Sequence, residues 1–173
     1  MTPTLSVDID EAVDHIRGPV GAPLILMYGD FECPYTRLAY REIQHVEQQL
    51  AGQVRYAFRH FPLTEIHPHA LAASLAAEAA HEQQRFWDMH DLLFHRQKAL
   101  TDEDLRGYAA ELALDLTSFD AGMSSRSVRD RVRRDQQSGR RTGQVNGTPT
   151  LFVDGMLHRD DYAAHTLLER LRP

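Results

Sequence analysis

The spacing of apolar residues divides the chain into a strand–helix–strand segment, a long helical segment and a strand–strand–helix segment. Residues 23–29, PLILMYG, form a short apolar run ended by glycine, which is typical of a buried strand. Cys33 and Pro34 then begin a stretch to about Leu50 whose apolar residues recur at helical spacing. Larger apolar residues alternate with other types in residues 54–59, which predicts a second, half-buried strand parallel to the first.

The middle of the chain has the pattern of several consecutive helices. Residues 67–83 are rich in alanine and residues 85–100 carry an apolar face, so both predict helices. Thr101 is followed three positions later by an acidic residue, which is typical of a capping box at a helix start. Thr117 has the same arrangement and predicts another short helical turn. Residues 125–138 indicate a polar helix whose arginines are expected to form a solvated face.

Regular structure changes again near the C-terminus. Residues 148–158, TPTLFVDGMLH, combine two short apolar runs with an Asp–Gly pair between them, which predicts a β-hairpin. An amphipathic helix carrying Tyr162 and Leu167 follows the hairpin. The order of elements predicts an α/β fold in which one mixed sheet is covered by helices on both faces.

Composition limits the classes of function. At 173 residues the chain is predicted to be a single domain, residues 1–173. A net charge of −6 argues against attraction to nucleic acid or anionic lipid. The N-terminus lacks the basic and apolar regions of a signal peptide, and no apolar stretch approaches the roughly 20 residues of a membrane helix. With a single cysteine, these features predict a cytoplasmic protein without membrane insertion and without a nucleic-acid partner.

Cys33 is the only cysteine, and it lies where a helix is predicted to begin. Unpaired backbone N–H groups and a partial positive charge at a helix N-terminus stabilise a thiolate. Cysteines in such positions have pKa values lowered from about 8.5 into the range of roughly 3.5–7.5. Cys33 is therefore predicted to be a nucleophile toward disulfides. The simpler alternative is a small buried hydrophobic residue that takes part in no reaction.

Three stretches of sequence resemble a known family. DHIRGPVGAPLILMYGDFECPYT, FRHFPLTEIHPHA and NGTPTLFVDG are similar to the DsbA-like branch of the thioredoxin fold. More narrowly, they resemble the thioredoxin-like domain found alone or fused to bacterial sodium/proton antiporters. The resemblance implies two thioredoxin halves at about residues 20–66 and 140–173, separated by a helical insertion at about residues 67–139.

The resemblance also implies roles for individual residues. In the family, a Cys-Pro-Tyr-Cys motif begins the first helix, and its first cysteine is the nucleophile, which here is Cys33. Pro34 and Tyr35 match the next two positions of the motif, whereas Thr36 occupies the place of the resolving cysteine. The Thr36 hydroxyl is expected to donate a hydrogen bond to the Cys33 thiolate.

A second motif matches the family, and a second position differs from the family's sequence. Thr148 and Pro149 match the threonine and cis-proline that face the nucleophile across the family's substrate groove. Met27 occupies the place of a buried acid that serves the resolving thiol in relatives. The loss of this acid agrees with the loss of the thiol.

The missing thiol decides which reactions remain. Without a second cysteine, a mixed disulfide on Cys33 persists until an outside thiol attacks it. We therefore predict a monothiol thiol–disulfide oxidoreductase of the mixed-disulfide exchange, isomerase or glutathione-dependent type. Its expected partners are protein or low-molecular-weight thiols and disulfides, with a reductase as a further partner. No cofactor is predicted, although glutathione is an expected co-substrate. The alternative is a redox-inactive module that binds an extended peptide or a partner protein.

His67 and His69 are the histidines whose spacing first suggests a metal site. Two histidines without a third ligand at helical spacing are a weak signal, and no metal is predicted there. His60, at the end of the second predicted strand, is expected near the active-site end of the sheet.

Overall fold

The computed structural model describes residues 4–171, which fold around a five-stranded mixed sheet. The strands are β1 (His15–Arg17), β2 (Leu24–Gly29), β3 (Arg55–His60), β4 (Thr150–Val153) and β5 (Met156–Leu157). Their order across the sheet is β1-β3-β2-β4-β5. β2 and β3 are parallel and the other neighbouring pairs are antiparallel, so the predicted βαβ unit and hairpin are both confirmed.

Within residues 4–171, seven helices complete the fold. They are α1 (Pro34–Gln49), α2 (Ala70–His81), α3 (Phe86–His95), α4 (Asp102–Glu111), α5 (Leu116–Ser124), α6 (Arg126–Thr142) and α7 (Ala164–Arg170). The predicted α/β class with an inserted helical block is therefore confirmed. Among the described residues, no helix has both the length and the apolar character needed to cross a bilayer.

Both faces of the central strands are buried. Ile25 and Met27 of β2 belong to a large apolar core that also includes side chains of α1, α2, α3 and α7. Leu26 and Tyr28 point to the opposite face, where a smaller core forms with Ala57 and neighbouring loops. The predicted strand at residues 54–59 is confirmed by β3, but its expected half-burial is wrong, because the N-terminal segment and α6 cover its second face.

Three local features differ from the sequence expectations, and a fourth, a capping box, agrees with them. β1 was not predicted, because three residues are too few to show a period. The helix after α4 begins with Asp115 as its N-cap, whose side chain accepts the Ser118 N–H at 2.7 Å, and not at Thr117. The capping box at Thr101 is confirmed in both of its hydrogen bonds. The predicted boundary near residue 140 falls inside α6, which packs against β3.

The arginines of α6 do not form only a solvated face. Asp135 is fully buried, and its side chain accepts the backbone N–H of His60 at 3.0 Å and pairs with Arg131. Arg134 reaches Asp14, which lies just before β1, at 3.3 Å. The alternation of charges in the sequence hides this arrangement, because His60 and Asp14, which Asp135 and Arg134 contact, lie in distant segments. α6 is thus attached to β3 by the Asp135–His60 hydrogen bond and to the segment before β1 by the Arg134–Asp14 ion pair.

His90 of α3 makes the stability of the fold depend on pH. Burial lowers the pKa of His90 from 6.5 to about 4, although Asp91, 2.7 Å from its Nδ1, favours protonation. Between these values the unfolded chain binds a proton that the folded chain does not. We therefore expect the free energy of unfolding to fall as pH decreases from about 6.5 to about 4, by up to roughly 3 kcal/mol from this group.

Urea unfolding at several pH values measures the slope of the free energy of unfolding against pH. His90→Gln should reduce the slope across the window, whereas His45→Gln, which alters an exposed histidine of α1, should leave it unchanged. Equal slopes in the two variants would contradict the assignment.

Candidate functional site

Cys33 is the residue at which the chain enters α1. It is the N-cap, with extended backbone angles, and Pro34 takes the first helical position. Cys33 is 3% exposed, whereas Tyr35, two residues later, is 61% exposed, so a nearly buried cysteine lies next to an exposed aromatic residue. Among the described contacts, the backbone N–H groups of Tyr35 and Thr36 have no hydrogen-bond acceptor. The start of α1, next to Cys33, therefore has free hydrogen-bond donors.

The loop from β2 to Cys33 is anchored by a buried carboxylate. Asp30 is fully buried, and its Oδ1 accepts the backbone N–H of Glu32 at 2.8 Å. Its Oδ2 accepts the Leu63 N–H at 2.8 Å and lies 2.8 Å from His67 Nδ1. The backbone N–H of Cys33 then donates to the Asp30 carbonyl at 3.1 Å, closing a tight turn. This turn holds the thiol in a defined position.

Gln97, which follows α3, anchors the same loop from the other side. Its Nε2 donates to the Phe31 carbonyl at 2.7 Å and to the Cys33 carbonyl at 2.9 Å. Sequence reasoning missed both Asp30 and Gln97. The position of Asp30 before Cys33 was visible, but Gln97 lies 64 residues further on, and its amide is not distinctive in type or spacing.

Replacing Gln97 by methionine should loosen this loop. The change keeps the size of the side chain and removes two hydrogen bonds, each contributing about 1 kcal/mol. We expect a loss of about 1–2 kcal/mol in stability and faster hydrogen exchange at the Cys33 backbone N–H. Lys98→Met, at the exposed neighbouring position, is the matched control. Unchanged exchange at Cys33 in the Gln97 variant would contradict an anchoring role.

Thr36 and Met27 are both fully buried, and neither supplies an ionisable group near Cys33. The Thr36 Oγ1 lies 3.5 Å from the backbone N of Asp30, and the described contacts include none between this hydroxyl and the Cys33 sulfur. The expected hydrogen bond from Thr36 to the thiol is therefore not observed. Met27 lies in β2 opposite Phe58 and Leu151, where it is part of the apolar core.

The two motifs singled out in the sequence meet in space. The Cys33 Sγ lies 3.3 Å from the Thr148 carbonyl oxygen, although 115 residues separate them along the chain. The Thr148–Pro149 peptide bond is cis. Both residues are half-buried and directly precede β4, which pairs with β2. The sheet therefore brings the start of the hairpin beside the helix that Cys33 begins.

Tyr162 is a further neighbour of Cys33 that sequence reasoning treated only as part of an amphipathic helix. Burial raises the pKa of its hydroxyl, with smaller contributions from Cys33 and Tyr35. The tyrosine lines two surface clefts. One cleft runs along α1 past Leu38, and the other lies beside Pro149. The surface near Cys33 thus combines the exposed side chains of Tyr35 and Leu38 with two clefts that Tyr162 lines.

The three histidines that the sequence places near the motifs lie apart from the thiol. His67 Nδ1 contacts Asp30, and the His69 backbone N–H donates to Glu32, so both support the loop region. His60 does lie at the end of β3, but its Nε2 is 2.7 Å from Glu78 Oε1. Within residues 4–171, none of these three side chains contacts the Cys33 sulfur.

A βαβ unit and a ββα unit around inserted helices, with a cysteine at the start of the first helix, define a DsbA-like thioredoxin-fold protein. Residues 10–171 match the family described as Thioredoxin, and the chain belongs to this family. The resemblance stated from the sequence is confirmed.

Solved structures agree on the fold. A thioredoxin-like oxidoreductase from Silicibacter pomeroyi DSS-3 superimposes with a TM-score of 0.81 at 23% identity, covering 92% of this chain and 90% of that one. BdbD from Bacillus subtilis, in its oxidised form, gives a TM-score of 0.82 at 18% identity, covering 98% and 95%.

The curated relatives are longer proteins. One named Na(+)/H(+) antiporter NhaA 1, from Salinispora arenicola (strain CNS-205), is 43% identical over 164 residues. The match covers 94% of this chain and 25% of that protein. The chain therefore spans about a quarter of the length of such relatives.

Proposed function

We propose that the protein is a monothiol thiol–disulfide oxidoreductase that works through Cys33. The observation that carries the proposal is the position of the only thiol at the N-cap of α1, where its sulfur lies 3.3 Å from the Thr148 carbonyl oxygen. Unpaired backbone N–H groups at a helix start favour a thiolate, which is the nucleophile in disulfide exchange. Thr148 and Pro149 would form the adjoining edge of the substrate groove, as in the family.

The reaction balances without a cofactor. The Cys33 thiolate attacks one sulfur of a substrate disulfide, which forms a mixed disulfide and releases the other sulfur as a thiolate. An outside thiol, such as glutathione, then attacks the mixed disulfide and carries away the bound group. Cys33 returns to its starting state. Each step exchanges one sulfur–sulfur bond for another, so the chain itself undergoes no net oxidation.

A second candidate is a module that binds a partner without turnover. Three observations favour it: Cys33 is nearly buried, position 36 holds no thiol, and clefts flank Tyr162. Relatives named as antiporters suggest a transporter, or a segment attached to one, as the partner. Under this candidate, Cys33→Ser would keep partner binding, because the sulfur would only fill space.

Intact-mass spectrometry after incubation with oxidised glutathione separates the candidates. The oxidoreductase should gain one glutathionyl group on the folded chain, and excess reduced thiol should remove it. Cys33→Ser should gain none. The same incubation in denaturant gives the rate for an unprotected thiol, and the folded protein should react at least several-fold faster. Slower reaction in the folded state would refute the oxidoreductase and favour the binding module.

A further inference from the structure

Three buried ligand-type side chains converge on the side of the sheet that faces α2. They are His15 of β1, His60 of β3 and Glu78 of α2. Each is at most 5% exposed. The Nε2 atoms of the two histidines lie 2.6 Å and 2.7 Å from the same Glu78 oxygen, Oε1. All three ligand atoms lie within 4.8 Å of one another.

The surroundings hold these side chains in place. The ring of Phe86 stacks on His15 with a centroid distance of 3.4 Å and an angle of 9°. Phe58 meets the His60 ring edge-on at 5.3 Å. Such an apolar shell orients imidazole ligands and keeps water away from them. No step of the proposed disulfide exchange uses this cluster.

The ring of His60 can present its Nε2 lone pair to a cation. His60 Nδ1 has no hydrogen-bond partner among the described residues. Moving the ring proton from Nε2 to Nδ1 therefore breaks no other hydrogen bond.

We propose that His15, His60 and Glu78 form a binding site for a divalent transition-metal ion of the zinc class. Two imidazoles and one carboxylate are a common zinc ligand set, and imidazole favours zinc over calcium or magnesium. Tetrahedral ligands at 2.0–2.2 Å from zinc lie about 3.3 Å apart. The two Glu78–histidine separations of 2.6 Å and 2.7 Å must therefore widen by less than 1 Å to admit the ion between them.

The cluster is accessible from one side. A surface cleft lined by Asp14, His15, His81 and Phe86 reaches the histidine of β1. The exposed His81 ring lies 4.7 Å from the His15 ring, between centroids, and is the nearest candidate for a fourth ligand. An ion here would link the first strand to the helical insertion, so it would stabilise the fold and leave Cys33 free.

Cobalt titration of the chelator-stripped protein tests the site. Co²⁺ replaces zinc and gives a visible spectrum that distinguishes nitrogen and oxygen ligands from thiolate. We expect one equivalent to bind with tetrahedral nitrogen–oxygen bands, Zn²⁺ to displace it, and Zn²⁺ to raise the melting temperature. Glu78→Gln should weaken binding at least tenfold, and His15→Gln provides the same test if the first variant does not fold.

Two control variants distinguish binding at this site from binding to other side chains. Cys33→Ser should bind Co²⁺ as the wild type does, which excludes the thiol, and so should His45→Gln on the surface of α1. No saturable binding by the wild type would overturn the proposal. Binding that survives both Glu78→Gln and His15→Gln would also overturn it, because the ion would then sit on surface histidines.

Discussion

A Thr36→Cys variant is expected to release its own mixed disulfide and to turn over as a dithiol enzyme. Residue 36 lies three positions after Cys33 in the first turn of α1, so the two side chains share one face of the helix. Cysteine is close in size to threonine, and position 36 is fully buried against Gly29 and Phe58, so the change should not disturb packing. The adduct lifetime should fall by roughly two orders of magnitude, because the resolving thiol becomes intramolecular.

Rapid quenching followed by mass spectrometry measures the lifetime of the adduct with a disulfide peptide. Thr36→Ser is the matched control, since it alters the same side chain and adds no thiol. We expect its adduct to persist as in the wild type until glutathione is added. A folded Thr36→Cys protein that keeps a stable adduct would show that the side chain at position 36 does not reach the sulfur of Cys33.

Removing Arg59 is expected to be the most destabilising single change among the ion pairs. The side chains of Arg59 and Asp14 are both fully buried, with guanidinium–carboxylate distances of 2.8 Å and 2.9 Å. Arg59 also donates to the Tyr28 hydroxyl and to the carbonyls of Val7 and Asp8. Arg59→Met should cost about 3–5 kcal/mol, because it leaves a buried carboxylate with only the Asp10 backbone N–H and Arg134 of α6 as partners.

Urea unfolding measures the loss, and a surface pair is the control. Arg106 and Asp120 form an ion pair with about half of each side chain exposed, so Arg106→Met should cost about 0–1 kcal/mol. Adding Asp14→Asn to Arg59→Met should restore part of the lost stability, because the unpaired charge is then removed. A loss below about 1 kcal/mol for Arg59→Met would contradict the importance of this pair.

Most of the fold could be predicted from the sequence because the relevant signals are local. The apolar run before Gly29, the proline at the start of α1 and the Asp154–Gly155 turn each specify a nearby backbone conformation. The proximity of Cys33 and Pro149 came from resemblance to a family, not from the chain's own pattern. Two local elements were not predicted correctly. β1 is only three residues long, and α5 begins with Asp115 as its N-cap.

The polar interior could not be predicted in the same way. Alternation in β3 indicates two faces but does not say what covers the second one, so Arg59 looked solvent-exposed although it is fully buried. Gln97 reaches the Cys33 loop only because α3 packs beside it. His15, His60 and Glu78 lie 45 and 18 residues apart in the chain, a spacing that matches no metal motif.

The sequence by itself determined the order of the elements, the position of the only thiol at a helix start and the absence of a second thiol beside it. Those features depend on residues that are neighbours in the chain. The tertiary structure alone decided which charges are buried, what anchors the Cys33 loop and which ligands converge on Glu78. Such contacts join residues far apart in sequence, and their energies depend on burial, which becomes defined only when the sheet and helices pack.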